Sequence, residues 1–340
     1  VRRRERNAAG VDAAALECRY IYEAGYLDKG NIALLIAFTS DLHVDISQRN
    51  WELVPYLNKV LKIVDPDVFV VAGDISPELG DIEYTLDCFS SLRCLKLLVP
   101  GNQDIWVLSE EMQEKAHDSY EKYYFYLPEV CRRNDFIPLW MQPINFRGVG
   151  FVGTIGWYDS ALKPEMDEAD FSPIERILMD SVWSDMRWAC WSDISMMMED
   201  IATPIRRPDL EVAREFNLRL DQDLDTFAQD SSIHEIVVVS HYPPLQELAP
   251  TVENEDGSQR ALFPGSQDTR GIISSHERVS TSISGHIHAK ADIVVGKVRA
   301  VRCPVGYLSK DHRRYQDIVK DCLEVIHIIE GEDLLPKGQA

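Results

Sequence analysis

The sequence predicts an α/β fold, in which helices flank a β-sheet core, on the basis of three observations. Short runs of consecutive apolar residues recur along the chain, as expected of strands buried on both faces. Segments with apolar residues three and four positions apart, the spacing of an amphipathic helix, alternate with these runs. Polar residues gather directly after the runs, which is where α/β sheets place their functional sites.

Three apolar runs in the first third of the chain predict the first strands of the core. They cover residues 32–38, 67–72 and 94–99. A helical spacing of apolar residues over 51–64 follows the first run, and another over 82–89 follows the second. Strands that alternate with helices in this way indicate an α/β layer arrangement.

The second half of the chain continues this pattern after an irregular segment. Asp209 can cap a helix whose apolar face continues to Phe227, and the polar stretch 250–271, punctuated by Gly and Pro, predicts a loop. Further strands are predicted at residues 151–155, 236–239, 279–284, 292–302 and 323–329.

A single domain with an insertion accounts for this pattern. We expect an N-terminal appendage at residues 1–30, a domain at 31–330 and a C-terminal tail at 331–340. Strand periodicity is lost at about 157–207, which predicts an inserted cap of helical or irregular structure. The tryptophans and methionines of this cap favour a small apolar core inside the insertion over an apolar lid on a substrate.

Composition and charge narrow the class of protein. The chain has 56 Asp and Glu residues against 35 Lys and Arg residues, a formal net charge of −21, which disfavours nucleic acid as a partner unless a basic groove forms locally. The apolar run at 32–38 is too short to span a membrane, and nothing before it resembles a secretory signal. Seven cysteines without a CxxC pair indicate reduced thiols. These features predict a cytoplasmic protein without membrane association.

Five segments that follow predicted strands carry side chains typical of metal ligands. Residues i and i+2 of an extended segment face the same side, so the Asp-x-His and His-x-His pairs can each converge on metal ions. A mixed nitrogen and oxygen donor set suits Mn, Fe, Zn or Co better than Mg or Ca. The candidate ligands are Asp41, His43, Asp74, Asn102, His241, His286 and His288.

The order of these motifs resembles that of the calcineurin-like metallophosphoesterases. The chain carries Asp-x-His at 41–43, Gly-Asp at 73–74, Gly-Asn-x-Asp at 101–104, His241, and Gly-His-x-His at 285–288. Five motifs in order are far more specific than any one of them. The resemblance implies a sandwich of two mixed β-sheets flanked by helices, with the metals held by loops at the strand ends.

The resemblance also implies a role for each candidate ligand. Asp74 would bridge two divalent ions, and a water or hydroxide bridging those ions would attack the phosphorus atom of a phosphomonoester or phosphodiester. Mn is the favoured metal. The first ion would be held by Asp41, His43 and His288, and the second by Asn102, His241 and His286.

One position departs from the family pattern. Gln103 stands where the family usually has a histidine that contacts the phosphoryl group and can act as a general acid. Glutamine can donate a hydrogen bond but not a proton, so another group, a good leaving group or low activity must account for the difference. His276 and His117 are candidate donors, although ordinary surface roles are favoured for both. Asp104 is expected to orient a ligand.

The sequence therefore predicts an enzyme, a hydrolase with a dinuclear metal site that acts on a small phosphorylated substrate through Asn102, Gln103 and Asp104. The main alternative is a catalytically weak metal-binding scaffold, and a nuclease is less favoured because of the negative charge. Residues 305–307 resemble the segment that closes the site in relatives, and we expect them to be structural. No protein partner is indicated.

Overall fold

The computed structural model gives the fold of the central part of the chain. The predicted appendage at 1–30, the tail at 331–340 and most of the predicted cap lie outside the described residues, so their predicted roles stay predictions. The described residues are 32–107, 118–159, 189, 191, 207–249, 251–253, 259–261 and 265–329.

The predicted strands are found at or near the expected positions, but residues 137–138, 144–146, 251–253 and 259–261 form short strands that were not predicted. In chain order they are β1 Ile32–Thr39, β2 Val68–Ala72, β3 Leu95–Val99, β4 Ile137–Pro138, β5 Ile144–Phe146, β6 Val149–Thr154, β7 Glu235–Ser240, β8 Thr251–Glu253, β9 Gln259–Ala261, β10 Val279–Ser284, β11 Ala291–Val295, β12 Val298–Arg302 and β13 Glu324–Ile329.

The helices alternate with the strands in the first half of the chain and flank the sheets. A π-helical segment, Lys122–Tyr126, joins α3 to α4. The helices are α1 Gln48–Val64, α2 Leu79–Phe89, α3 Ser119–Glu121, α4 Leu127–Arg133, α5 Asp209–Gln229, α6 Gln267–Ser275 and α7 Tyr315–Cys322.

Two mixed β-sheets form the core, which confirms the predicted fold class. The first has five strands in the order β13-β1-β2-β3-β4, and β13 is its antiparallel edge strand. The second has six strands in the order β11-β12-β10-β7-β6-β5, with antiparallel strands at both edges. The central strands of both sheets are parallel, so their carboxyl ends lie together at one edge of each sheet.

Burial on both faces explains why the strands read as continuous apolar runs. Phe38 of β1 and Val70 of β2 share a buried cluster with Phe151 of the second sheet. Phe69, the neighbour of Val70, points to the opposite face, where its ring lies 5.0 Å from that of Phe89 in α2. Each strand therefore contributes one set of side chains to the layer between the sheets and another to the helices.

Two local predictions were wrong. The helix α5 is capped by Pro208, and Asp209 is its first helical residue, with its Oδ1 accepting a hydrogen bond from Trp157 Nε1 at 3.0 Å instead of capping the helix. The stretch 250–271 is not all loop, because β8 pairs with β9 as a short antiparallel ladder and α6 begins at Gln267. Strands of three residues are too short to leave a clear alternation in the sequence.

Trp191 is described within the predicted cap. Its side chain is 1% exposed, and its ring lies 5.4 Å from the rings of Trp157 and Phe216. It therefore belongs to the large cluster on the helical side of the first sheet, not to a separate core of the insertion. Trp183 and Trp188 lie outside the described residues.

The layer between the sheets should dominate the stability of the domain. Phe151 is fully buried there, so we expect Phe151→Ala to lower the free energy of unfolding by about 3–5 kcal/mol through lost transfer energy and a cavity. Phe125 is 63% exposed, and Phe125→Ala should change it by no more than about 0.5 kcal/mol. Urea denaturation of the two variants checks this, and equal effects would contradict the assignment of the core.

Candidate metal centre

Two groups of side chains with metal-ligating atoms lie at the carboxyl ends of the central strands. In each group the ligand atoms lie within 4.8 Å of one another, and together the groups contain six of the seven predicted ligands. The seventh, Asn102, joins the second group, since its Oδ1 lies 2.9 Å from His241 Nε2 and 3.2 Å from His286 Nδ1. The groups are Asp41, His43 and His288, and Asp74, His241 and His286.

The Asp74 carboxylate lies between the two groups. Its Oδ2 is 3.4 Å from His241 Nε2 in the second group and 3.9 Å from His43 Nε2 in the first. Its Oδ1 accepts a hydrogen bond from the Gln103 backbone N–H at 2.9 Å. One carboxylate oxygen therefore faces ligands of both groups, which is the arrangement that a bridging ligand requires.

Four of the predicted ligands have a left-handed backbone. Asp41, His43, Asp74 and His286 have φ angles of 55°, 44°, 56° and 67°. Non-glycine residues rarely adopt this region, and such strain persists only where the surroundings hold it in place. Here the Asp41 N–H donates to the Gly73 carbonyl at 2.8 Å, and the His43 N–H donates to the Asp74 carbonyl at 3.0 Å. The loops after β1 and β2 thus fix each other.

Glycines are required where backbone and carboxylates approach closely. A Cβ atom on Gly101 would lie 2.1 Å from Asp74 Oδ1, and one on Gly285 would lie 2.9 Å from Asp41 Oδ2. Real side chains do not tolerate such distances without a shift of the neighbouring atoms. The glycines of the third and fifth motifs therefore allow the two carboxylates to reach their positions.

Asp104 does not belong to either group, but it holds the loop that carries Asp74. Its carboxylate accepts backbone hydrogen bonds from Asp74 at 2.9 Å, Ile75 at 2.7 Å, Ser76 at 3.1 Å and Gly101 at 2.8 Å. Burial and the neighbouring Asp74 charge raise the pKa of Asp104 to about 6, and these N–H donors act in the opposite direction.

Lys122 is a part of the centre that the sequence analysis missed. Its side chain is fully buried, and its ammonium group donates to the carbonyl of Pro77 and, at 2.8 Å, to that of Trp106. Those carbonyls follow the loops of Asp74 and Asn102. Burial lowers the pKa of Lys122 to about 8, while the Asp104 charge acts to raise it. In the sequence Lys122 stands out only as a lysine beside a run of aromatic residues, and the structure adds that it begins a π-helical segment, a feature frequent at functional sites.

The protonation of the histidines differs from one position to another. Burial lowers the pKa of His43 to about 4 and that of His286 to about 3, so both rings are neutral at pH 7. Burial also disfavours the charged form of His241, but the charge and hydrogen bond of Asp74, together with the Asp41 charge and the Ala72 carbonyl, outweigh it and raise the pKa of His241 to about 10. A cation would therefore have to displace a proton from this ring.

Hydrogen bonds direct the Nε2 atoms of two histidines into the centre. His241 Nδ1 lies 2.9 Å from the Ala72 carbonyl, which can only accept, so Nδ1 carries hydrogen and Nε2 faces Asn102 and Asp74. His43 Nε2 lies 2.9 Å from His288 Nε2, and His43 Nδ1 lies 3.2 Å from Gln103 Oε1. Once these rings give up their Nε2 protons, imidazole nitrogens and carboxylate oxygens that converge in this way fit divalent transition metals.

Gln103 and Tyr307 lie beside the first group of ligands. Gln103 Nε2 lies 3.5 Å from the Tyr307 hydroxyl, and the Tyr307 ring lies 4.7 Å from the rings of both His43 and His288. Tyr307 is 53% exposed. Partial burial and the Asp74 charge raise the pKa of Tyr307 to about 12, so its hydroxyl keeps its proton.

Of the two candidate proton donors outside the motifs, His276 does not reach the centre. His276 precedes β10, whereas the ligands follow the other end of that strand, and its Nε2 lies 2.9 Å from Asp221 Oδ1. His117 lies outside the described residues.

Within the described part of the chain, no helix has the length and hydropathy needed to cross a membrane.

Comparisons with known proteins agree with the geometry. The family model described as calcineurin-like phosphoesterase matches residues 34–290. No curated protein matches the chain. Among solved structures, the fold is similar to that of the phosphopantetheinyl hydrolase PptH from Mycobacterium tuberculosis, with a TM-score of 0.59 and 19% identity over 88% of this chain and 98% of that one.

A second solved structure is a dimetal phosphatase from Danio rerio, with a TM-score of 0.50 and 11% identity over 88% of this chain and 94% of that one. At these identities the two structures show a common fold. The family match covers most of the described sheets and every one of the predicted motifs. This chain belongs to the calcineurin-like phosphoesterase family.

Proposed function

We propose that the chain is a metal-dependent hydrolase of a small phosphomonoester or phosphodiester. The observation that carries this proposal is the position of the Asp74 carboxylate, whose Oδ2 faces ligand nitrogens of both groups at 3.4 and 3.9 Å. Two solved structures with a similar fold are named as a phosphopantetheinyl hydrolase and a dimetal phosphatase, and these names support phosphoester hydrolysis as the class of chemistry.

The proposed cofactor is a pair of divalent transition-metal ions, with Mn favoured and Fe, Zn or Co also suited to the donor set. When bound, such a pair offsets the charge of the attacking and leaving oxygens and lowers the pKa of water. Asp74 would serve both ions. Asp41, His43 and His288 would complete the first ligand set, and Asn102, His241 and His286 the second.

Residues next to the ligands would place the substrate. Gln103 accepts from His43 Nδ1 through its carbonyl oxygen, so its amide N–H groups remain for donation to a phosphoryl oxygen or to Tyr307. Glutamine supplies no proton, so substrates with good leaving groups should react best. Asp104 acts through the backbone of Asp74 and Gly101, and is therefore a positioning residue.

A metal-binding scaffold is the second candidate, and the absence of the usual histidine at Gln103 favours it. The seven ligands together argue for catalysis, because a scaffold has no need to retain both groups. A nuclease is disfavoured by the net charge of −21. A cytoplasmic location stays a prediction, which the free thiols of the described cysteines support.

Asp74→Asn tests whether both ions and turnover depend on this carboxylate. We expect Mn-loaded wild-type protein to hydrolyse p-nitrophenyl phosphate or its bis ester. The variant should lose more than about 100-fold in kcat/KM, because even changes beyond the metal ligands cost 10–100-fold. Calorimetric titration with Mn should also lose at least one site.

The control for this experiment is Asp87→Asn, which changes an exposed aspartate on α2 and should behave as wild type. Activity that survives in Asp74→Asn would contradict the proposed function. Two bound Mn ions without hydrolysis of either ester would support the scaffold instead.

The variant Gln103→His measures how much turnover is lost because glutamine stands where the family usually has histidine. A proton donor at this position should raise turnover of a substrate with a poor leaving group, such as phenyl phosphate, by about 10²-fold or more, and that of p-nitrophenyl phosphate much less. Steady-state kinetics on both esters give the ratio. An equal change for both would show that leaving-group protonation does not limit the reaction.

Asp104→Asn should weaken metal binding without removing a ligand. In the wild type both carboxylate oxygens of Asp104 accept hydrogen bonds from backbone N–H groups. In the variant one of these oxygens becomes an NH₂ group, which is a donor facing donors, so the Asp74 loop should shift. We expect a 10–100-fold loss in Mn affinity by calorimetry. Unchanged Mn affinity would contradict the positioning role of Asp104.

A further inference from the structure

We propose that Tyr307 is a substrate-contacting residue whose hydroxyl donates a hydrogen bond to a phosphoryl oxygen held over the group of Asp41, His43 and His288. This inference rests on the phosphoesterase function proposed above and assigns it a residue that lies outside the five motifs. It replaces the purely structural role that the sequence suggested for residues 305–307.

The first argument is the position of the Tyr307 side chain. Its ring packs against two ligand histidines, with centroids 4.7 Å from those of His43 and His288. The side chain nevertheless remains 53% exposed, and its hydroxyl lies 3.5 Å from Gln103 Nε2. The ring therefore packs against two ligands while about half of the residue remains accessible to a bound molecule.

The second argument is that the backbone around Tyr307 is fixed relative to the ligands. The Gly306 N–H donates to the Asp41 carbonyl at 3.0 Å, and Gly306 has a φ of 70°, which favours glycine. Buried Asn50 donates to the Gly306 carbonyl at 2.8 Å and accepts from the Leu308 N–H at 3.1 Å. The amide of Asn50 thus binds the residues on both sides of Tyr307.

The same asparagine connects this segment to the first motif. Asn50 Nδ2 also donates to the Leu42 carbonyl at 2.9 Å, between the two ligands of the Asp-x-His pair. The backbone that carries Tyr307 is therefore held by the same framework that holds the backbone between Asp41 and His43. Preorganised donors of this kind stabilise developing charge without the cost of reorientation.

The third argument is the direction of the hydrogen bonds. His43 needs its Nε2 lone pair for a metal, so Nδ1 carries the hydrogen and donates to Gln103 Oε1. The Gln103 amide N–H can then donate to the Tyr307 oxygen, which leaves the Tyr307 hydrogen to donate elsewhere. Glutamine suits this position because its amide both accepts and donates.

The acceptor that fits this donor is an anionic phosphoryl oxygen. The centre beneath it is built from ligands for cations, so an anion is the species that a metal-loaded site would attract. A neutral hydroxyl on an anionic oxygen makes a charge-assisted hydrogen bond, which is stronger than a neutral one. Tyr307 would thereby supply one hydrogen bond to the phosphoryl group.

Tyr307→Phe tests the proposal, because it keeps the ring against both histidines and removes only the hydroxyl. We expect kcat/KM for p-nitrophenyl phosphate to fall by about 10²-fold, the usual effect of losing one donor to a developing charge. We also expect Mn-loaded protein to bind inorganic phosphate about 10-fold more weakly by calorimetry. Binding of Mn itself should be unchanged.

Tyr315→Phe is the matched control, since this phenol lies on α7 and hydrogen-bonds to Glu52 at the surface. It should match wild type in all three measurements. If Tyr307→Phe binds phosphate as tightly as wild type, the proposal is overturned. It is also overturned if Mn affinity falls as much as phosphate affinity, because Tyr307 would then act by placing the ligands.

Failure of the proposed function has a different signature. A wild-type protein that binds Mn and phosphate but hydrolyses no ester would refute the hydrolase, and weaker phosphate binding in Tyr307→Phe would still support the Tyr307 contact. If Tyr307→Phe hydrolyses the ester at the wild-type rate, the Tyr307 contact is refuted and the hydrolase function is not. A wild type that binds no Mn would overturn both.

Discussion

The carboxylate of Asp104 joins the loops on which the whole centre depends. Four backbone N–H groups from two loops converge on it, and these loops carry Asp74 and Asn102, which face the second group of ligands. The buried ammonium of Lys122 binds carbonyls that follow the same two loops and offsets the negative charge. A buried carboxylate and a buried ammonium are each costly alone, but here the carboxylate accepts four hydrogen bonds and the ammonium donates two, so hydrogen bonds to the loops offset part of the desolvation cost.

Much of the fold and the grouping of the ligands follow from the sequence, since both depend on local pattern. Continuous apolar runs mark strands buried on two faces, and the i, i+2 spacing of Asp41 and His43 places both in one group. The short strands β8 and β9 escaped prediction because three residues carry no periodicity. The role of Asp209 depended on a partner, Trp157, that no local rule identifies.

The contacts made by residues outside the motifs could not be predicted from the sequence, for a related reason. Tyr307 lies 204 positions from Gln103 in the sequence, and nothing in the composition around either residue signals that they meet. The burial of Lys122 is likewise set by the three-dimensional arrangement of two loops. Sequence motifs report the atoms that would touch the metals, whereas the residues that orient those atoms are drawn from any segment that the fold brings near.

The seven candidate ligands come from both ends of the domain, and this has a consequence for how the protein is made. His43 and His288 are 245 positions apart, yet their Nε2 atoms lie 2.9 Å from each other. Neither group of ligands can form on the ribosome until the second sheet has been synthesised, because each contains residues from both halves of the chain. The complete ligand set therefore exists only once residues from both sheets have come together, so binding of metal ions by that set would belong to the final maturation of the protein.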